Sequence, residues 1–177
     1  MGMGFIEKKE GITVIEVLIV SVIIGVIIAI TGTISGKFAD RRSVDRITMN
    51  ISSTLQIMKL KALRHGLEYQ AAFAFNSGEK TLTVVTQRGN SNRGSDEYEN
   101  ETLQTIRVEE GLAITPANKT YNFNPNGTLG GASGTVTISP TPASKNIKRC
   151  GKIVVSPFGR MRVIQGTWDG TNCNAVK

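Results

Sequence analysis

Apolar residues crowd the stretch from Ile12 to Ile30, where only Thr13, Glu16, Ser21 and Gly25 interrupt the run. A helix rising about 1.5 Å per residue over that stretch nearly spans a hydrocarbon core of about 30 Å. Beyond it the apolar positions narrow to a stripe: Ile34, Phe38, Val44, Ile47, Ile51, Leu55, Met58 and Ala62, mostly three or four apart. That spacing predicts one amphipathic helix face, with Arg41, Arg42, Asp45, Arg46, Lys59 and Lys61 opposite. Gly66 is the expected stop, and Arg64 and His65 suit the negative end of the helix dipole. A helix from Ile12 to about His65 would be roughly 80 Å long if continuous. Gly32 and Gly36, set among Thr31, Thr33 and Ser35, weaken it locally. Two readings stay open for residues 31–36: a bend or unwinding of the helix, or a small-residue packing face.

After Gly66 the period shortens to that of strands. Expected strands are Tyr69–Phe75, Leu82–Gln87, Leu103–Val108, Tyr121–Phe123, Thr135–Ile138, Ile147–Val155 and Arg160–Ile164. Turn signals separate them at Asn76-Ser77-Gly78, Asn124-Pro125-Asn126-Gly127 and Pro157-Phe158-Gly159. Arg88–Asn100 has no apolar pattern and is expected to be an exposed, mobile loop. The expected fold class is α+β: a long N-terminal helix, half transmembrane and half amphipathic, packed on an antiparallel β head. No internal repeat is present.

Composition adds limits. The 177 residues suit one domain of ordinary size. They are 40% hydrophobic and 20% charged, too apolar for a disordered chain and too polar for a multi-span membrane protein. The apolar run argues against a purely soluble cytoplasmic protein. Two cysteines and one histidine, His65, exclude a zinc ribbon and a disulfide-dense mini-protein, and argue against histidine-dependent catalysis. No Walker-type loop, nucleophile motif or metal-spaced cluster occurs, so no catalytic residue, metal site or cofactor is expected. The net charge of +7 is unevenly placed: +5 over 37–66, −3 over 67–127 and +6 over 128–177. Such asymmetry suits a polyanion or an acidic neighbour as readily as it suits a plain solvated surface.

The amino end carries the sharpest chemistry. Lys8 and Lys9 precede the apolar run, which holds the amino end in the cytoplasm and places the rest outside. A secretory signal would be cut after its apolar run, and Ala29-Ile30-Thr31 is a poor site for that. The residues instead suggest a cut before the run, after Gly11. Glu16 is costly in such a span, about 2.5–3.5 kcal/mol at its centre and less near an end. The helix dipole offsets part of this in the first turns. Either Glu16 is tolerated at the interface, or it needs a cationic partner, and a cut after Gly11 would free an α-amine on Ile12 to supply one.

The segment Gly11-Ile12-Thr13-Val14-Ile15-Glu16-Val17 resembles the class III signal of type IV pilins and type II secretion pseudopilins. Phe is commoner in that family where this chain has Ile12. The resemblance implies cleavage between Gly11 and Ile12 by a prepilin peptidase, N-methylation of Ile12, and a role for Glu16 in helical filament assembly. It divides the chain into a leader (1–11), a transmembrane and filament-core helix (12–36), an amphipathic continuation (37–66) and a β-rich head (67–177).

Cys150 and Cys173 both fall outside the membrane on this topology, where disulfides form. A bond between them would close a loop of about two dozen residues and stabilise the head by roughly 3 kcal/mol; two free thiols are the alternative. A second resemblance lies nearby. Tyr121-Asn122-Phe123-Asn124-Pro125-Asn126-Gly127-Thr128, Gly151–Ser156 and Gly159-Arg160-Met161-Arg162-Val163 are similar to the head signature of GspH/FimT-type minor pilins. This implies a head of two packed β-sheets. FimT-like members carry a Gly-Arg-x-Arg motif associated with DNA binding in natural transformation, which Gly159-Arg160-Met161-Arg162 matches.

On a strand, Arg160 and Arg162 would share one face while Met161 and Val163 suit the core. Lys148, Arg149 and Lys152 would extend the patch, with Phe158 and Trp168 as nearby aromatics that could equally be core. A purely structural reading stands beside this one: Gly159 makes the turn, and the arginines are solvated or touch a neighbouring pilin.

The function expected is therefore a non-enzymatic minor pilin of a type IV pilus that joins or primes filament assembly. Alternatives are a DNA-binding minor pilin for transformation and a GspH-like pseudopilin of type II secretion. Expected partners are other pilins or pseudopilins, the prepilin peptidase, the bacterial inner membrane and DNA. The head would lie in the periplasm before assembly, and in a pilus or pseudopilus afterwards.

Overall fold

The structure, a computed structural model, describes residues 13–144 and 147–175, and leaves the side chains of 29–41 undescribed. Contacts divide the chain into two units, Met1–Phe38 and Ala39–Lys177. The elements in chain order are α1 (Val14–His65), β1 (Tyr69–Asn76), β2 (Thr81–Gly89), β3 (Tyr98–Arg107), β4 (Leu112–Thr115), β5 (Asn118–Phe123), β6 (Gly134–Pro140), β7 (Arg149–Val155), β8 (Met161–Trp168) and β9 (Cys173–Ala175). The architecture is α+β, a helix packed on antiparallel sheets.

In the first unit α1 opens at Val14, with the Glu16 N–H donating to the Thr13 carbonyl at 3.1 Å. Ser21 returns its hydroxyl to the Val17 carbonyl. Among the described residues no helix is long and apolar enough to cross a membrane. The expected span of 12–30 includes Ile12 and the side chains of 29 and 30, which lie outside the described residues, as does the leader 1–11. The side chains of the apolar stripe residues Ile34 and Phe38 are likewise not described.

In the second unit, Val44, Ile47, Ile51, Leu55, Met58 and Ala62 are all buried, so the periodic stripe is the face that meets the head. The helix ends at His65, and the Gly66 N–H donates to the Ala62 carbonyl. Two antiparallel sheets follow, in the orders β3-β2-β1-β5 and β4-β6-β7-β8-β9. The core gathers the helix stripe with Tyr69, Phe73, Leu82, Val84, Tyr121 and Phe123 of the first sheet. Leu112, Ile114, Val136, Ile138, Ile153 and Val155 come from the second.

Several expectations need correction. Arg88–Asn100 is not one long loop: β2 runs through Gly89, and β3 begins at Tyr98 and pairs with β2 across a register shift at Thr86/Gln87. The connection is tied down by the Glu68 carboxylate, which accepts the Ser95 N–H at 2.9 Å. The fourth and ninth strands carry four and three residues, too few to show a period. The strand expected from Ile147 starts at Arg149, and that expected from Arg160 starts at Met161.

Candidate functional site

Two places carry the chemistry that the sequence singles out. Gly11 and Ile12 lie outside the described residues. Glu16 sits in the first turn of α1 with its side chain exposed. Around it Val14, Ile15, Val17, Leu18, Ile19, Val20, Val22, Ile23, Ile24 and Val26 are each about half exposed or more. This apolar surface runs all round the helix rather than along a stripe, and a helix apolar on every side is at home only inside lipid or packed protein.

The second place is the outer face of the β4–β9 sheet. Side chains alternate across a strand. On β7, Ile153 and Val155 enter the core, so Lys152 and Val154 face outward. The register sets Arg162 opposite Val154 and Ile164 opposite Lys152. Lys152 and Arg162 are thus diagonal neighbours on one outward face. Lys148, also exposed, precedes β7, and its carbonyl accepts the Trp168 N–H at 2.7 Å. Arg160 is exposed just before β8.

Arg149 belongs to the opposite face and is a correction. Its guanidinium makes a two-pronged pair with the Asp45 carboxylate of α1, at 3.2 and 3.3 Å. It therefore fastens helix to sheet. Val163 is a second correction: Met161 packs against the core, but Val163 is 40% exposed.

The Gly159-Arg160-Met161-Arg162 segment has a structural cause for its glycine. Gly159 has φ +68°, and a Cβ there would collide with the Gly127 carbonyl. Gly127 has φ +77°. The Leu129 N–H donates to the Pro157 carbonyl at 2.9 Å, joining the two turns that the sequence marks separately. Lys59 of α1 donates from Nζ to the Gly159 carbonyl at 2.9 Å. Neither Lys59 nor Asp45 is visible as a partner in the sequence, since each contact spans a hundred residues or more. Phe158 stands 82% exposed at the tip of its turn, whereas Trp168 is half-buried.

Cys150 and Cys173 form a disulfide, with Cα atoms 5.7 Å apart. It secures β9 to the sheet with help from Asp169. One Asp169 carboxylate oxygen accepts the N–H groups of Thr171 and Asn172, and the other the Asn174 amide. The Asn172 and Thr171 N–H groups hold the Asp169 carboxyl below its ordinary value. Burial pushes the Tyr121 phenol up to about 12. Burial and then the Glu68 charge do the same for Tyr98. Among the described residues no three His, Cys, Asp or Glu side chains gather to hold a metal.

No family model matches the sequence, and no curated protein matches it. Among solved structures, the chain is similar to the minor pseudopilin EpsH of the Vibrio cholerae type 2 secretion system. That match has 14% identity and a TM-score of 0.47, and covers 69% of this chain and 96% of that one. It is also similar to the type IV minor pilin FimU of Pseudomonas aeruginosa, at 15% identity and a TM-score of 0.49, covering 71% of this chain and 91% of that one.

Proposed function

We propose that the chain is a minor pilin of a type IV pilus, a structural subunit that joins or primes a helical filament and catalyses nothing. The observation that carries this reading is the all-round exposed apolar surface of Val14–Val26 with one carboxylate, Glu16, in its first turn. A soluble head has no use for such a surface, but a lipid bilayer and then a filament core would bury it. In this reading a prepilin peptidase cuts between Gly11 and Ile12 in the inner membrane. The freed amine of Ile12, once methylated, meets the Glu16 of a neighbouring subunit, while the head waits in the periplasm. The test is mass spectrometry of exported protein from the native host together with pilus counts for Glu16→Ala. A mature chain starting at Ile12, with assembly lost in the variant, is expected; residues 1–11 retained on working protein would sink the reading. A GspH-like pseudopilin of type II secretion shares every one of these features. Deleting the gene and scoring pili and secretion separately tells the two apart.

DNA binding is a second reading, favoured by the outward Arg162, Lys152 and Lys148 with Arg160 beside them. Contacts from such a patch would go to phosphates, independent of sequence and weakened by salt. Gel-shift titration of the full chain in detergent tests it. Charge reversal at Arg160 and Arg162 is expected to weaken binding and flatten its salt dependence, and unchanged affinity refutes the reading.

A further inference from the structure

Glu68, the residue before β1, is only 2% exposed, and among the described residues no lysine, arginine or histidine pairs with it. Its Oε2 accepts the Ser95 N–H, and the Tyr98 phenol lies beside the group. Its Oε1 faces a space that it shares with Asn124. A Cβ on Gly130 would stand 2.9 Å from Glu68 Oε1 and 3.0 Å from Asn124 Oδ1. The Gly130 N–H donates to the Asn122 carbonyl at 2.9 Å, which holds the backbone at that spot. Asn124 is 6% exposed, and its Nδ2 donates to Thr128 Oγ1 at 3.2 Å. Its Oδ1 is buried with no hydrogen-bond partner among the described residues. Two acceptor oxygens, one from a carboxylate, thus meet in one buried space. Burying such a pair with no donor or cation between them is costly.

We propose that a calcium-like divalent cation binds between Glu68 Oε1 and Asn124 Oδ1, beside Gly130. Carboxylate and amide carbonyl oxygens are the donors that calcium takes, and its loose coordination lets water complete a partial protein shell. Magnesium asks for near-ideal octahedral geometry and sheds its water reluctantly, so it suits this pair less well. One carboxylate with neutral oxygens is a different donor set from the cluster of three ionisable side chains absent above. The ion has a way in, since Asn124 also lines an open hollow of about 320 Å³ with Asn92, Arg93, Asn126 and Thr128. With a single carboxylate the affinity falls in the weak class, a Kd of about 10⁻⁴–10⁻³ M. Once bound, the ion would join the corner between α1 and β1 to the turn that follows β5. The inference is independent of the filament and DNA readings.

The test is thermal unfolding of the full chain in detergent, in chelator, in calcium and in magnesium, with Glu68→Gln and Asn124→Asp as variants. Calcium at about 10 mM, some 10–100 times such a Kd, is expected to raise the melting temperature by several degrees. Magnesium at the same concentration is expected to raise it less. In Glu68→Gln the new amide can donate to Asn124 Oδ1 and so replace the ion. That variant is expected to melt no lower than the parent in chelator and to lose the calcium shift. Asn124→Asp adds a second charge and is expected to lower the calcium concentration of the half-maximal shift at least ten-fold. No calcium shift in the parent, or the full shift retained in Glu68→Gln, overturns the proposal. The Asn124 amide, turned over to donate to Glu68, would then satisfy the pair unaided. An equal shift in magnesium also overturns it, because screening of surface charge needs no site.

Discussion

The Tyr121 hydroxyl is buried without a hydrogen-bond partner among the described residues. An orphaned buried hydroxyl costs about 1–3 kcal/mol, so Tyr121→Phe is expected to raise the melting temperature by a few degrees. Calorimetry of the two proteins checks this. The pH dependence has a definite sign. The phenols of Tyr98 and Tyr121 are raised from 10.0 to about 12, so their contribution is complete below pH 10 and fades as pH climbs towards 12. Tyr121→Phe is expected to blunt that alkaline loss. Asp169 runs the other way. Its carboxyl is lowered from 3.8, so its stabilisation is complete above that pH and disappears as acid titrates the folded carboxylate. An NMR titration of the Thr171 and Asn172 amides is expected to show a midpoint below 3.8; a midpoint at or above it would contradict the turn described.

At the scale of elements, α1 shows what a period can reveal. Leu55 lies on the buried stripe, and Leu60, on the other side, is 63% exposed. Leu55→Ala is expected to cost about 2–5 kcal/mol and Leu60→Ala under about 0.5, measured by denaturant unfolding. The stripe was legible because one face meets a core and the other meets water. The start of β3 was not legible, because it is an edge strand: from Glu99 to Thr105 every residue is exposed, and no alternation is imposed. β4 and β9 fail for a different reason, their brevity. β9 depends on its tether, so the double variant Cys150→Ala/Cys173→Ala is expected to lose roughly 3 kcal/mol in the same unfolding experiment.

For the molecule as a whole, the question is what covers Val14–Val26. Introducing Asp at Ile19 and Ile23 together is expected to abolish flotation with liposomes, since each charge near a bilayer centre costs about 2.5–3.5 kcal/mol. Retained flotation would detach the apolar surface from the membrane role proposed for it. The exposed apolar surface and Glu16 in the first turn of α1 could be read from residue order, because they are contiguous. The basic face was readable only in part. Alternation along one strand places Arg162 and Lys152 outward, but the pairing of Arg149 with Asp45 joins positions 104 residues apart and leaves no local trace.

The meeting of Gly127 and Gly159 bears on how this surface can diversify. Their contact uses backbone on both sides. The side chains at 125, 157 and 158 cannot hydrogen-bond and are released from the duties of the frame, whereas the Asn126 amide oxygen accepts the Thr128 N–H and hydroxyl. Descendants of this chain can exchange those three residues to suit new neighbours while inheriting the same scaffold, provided that both glycines and Asn126 stay.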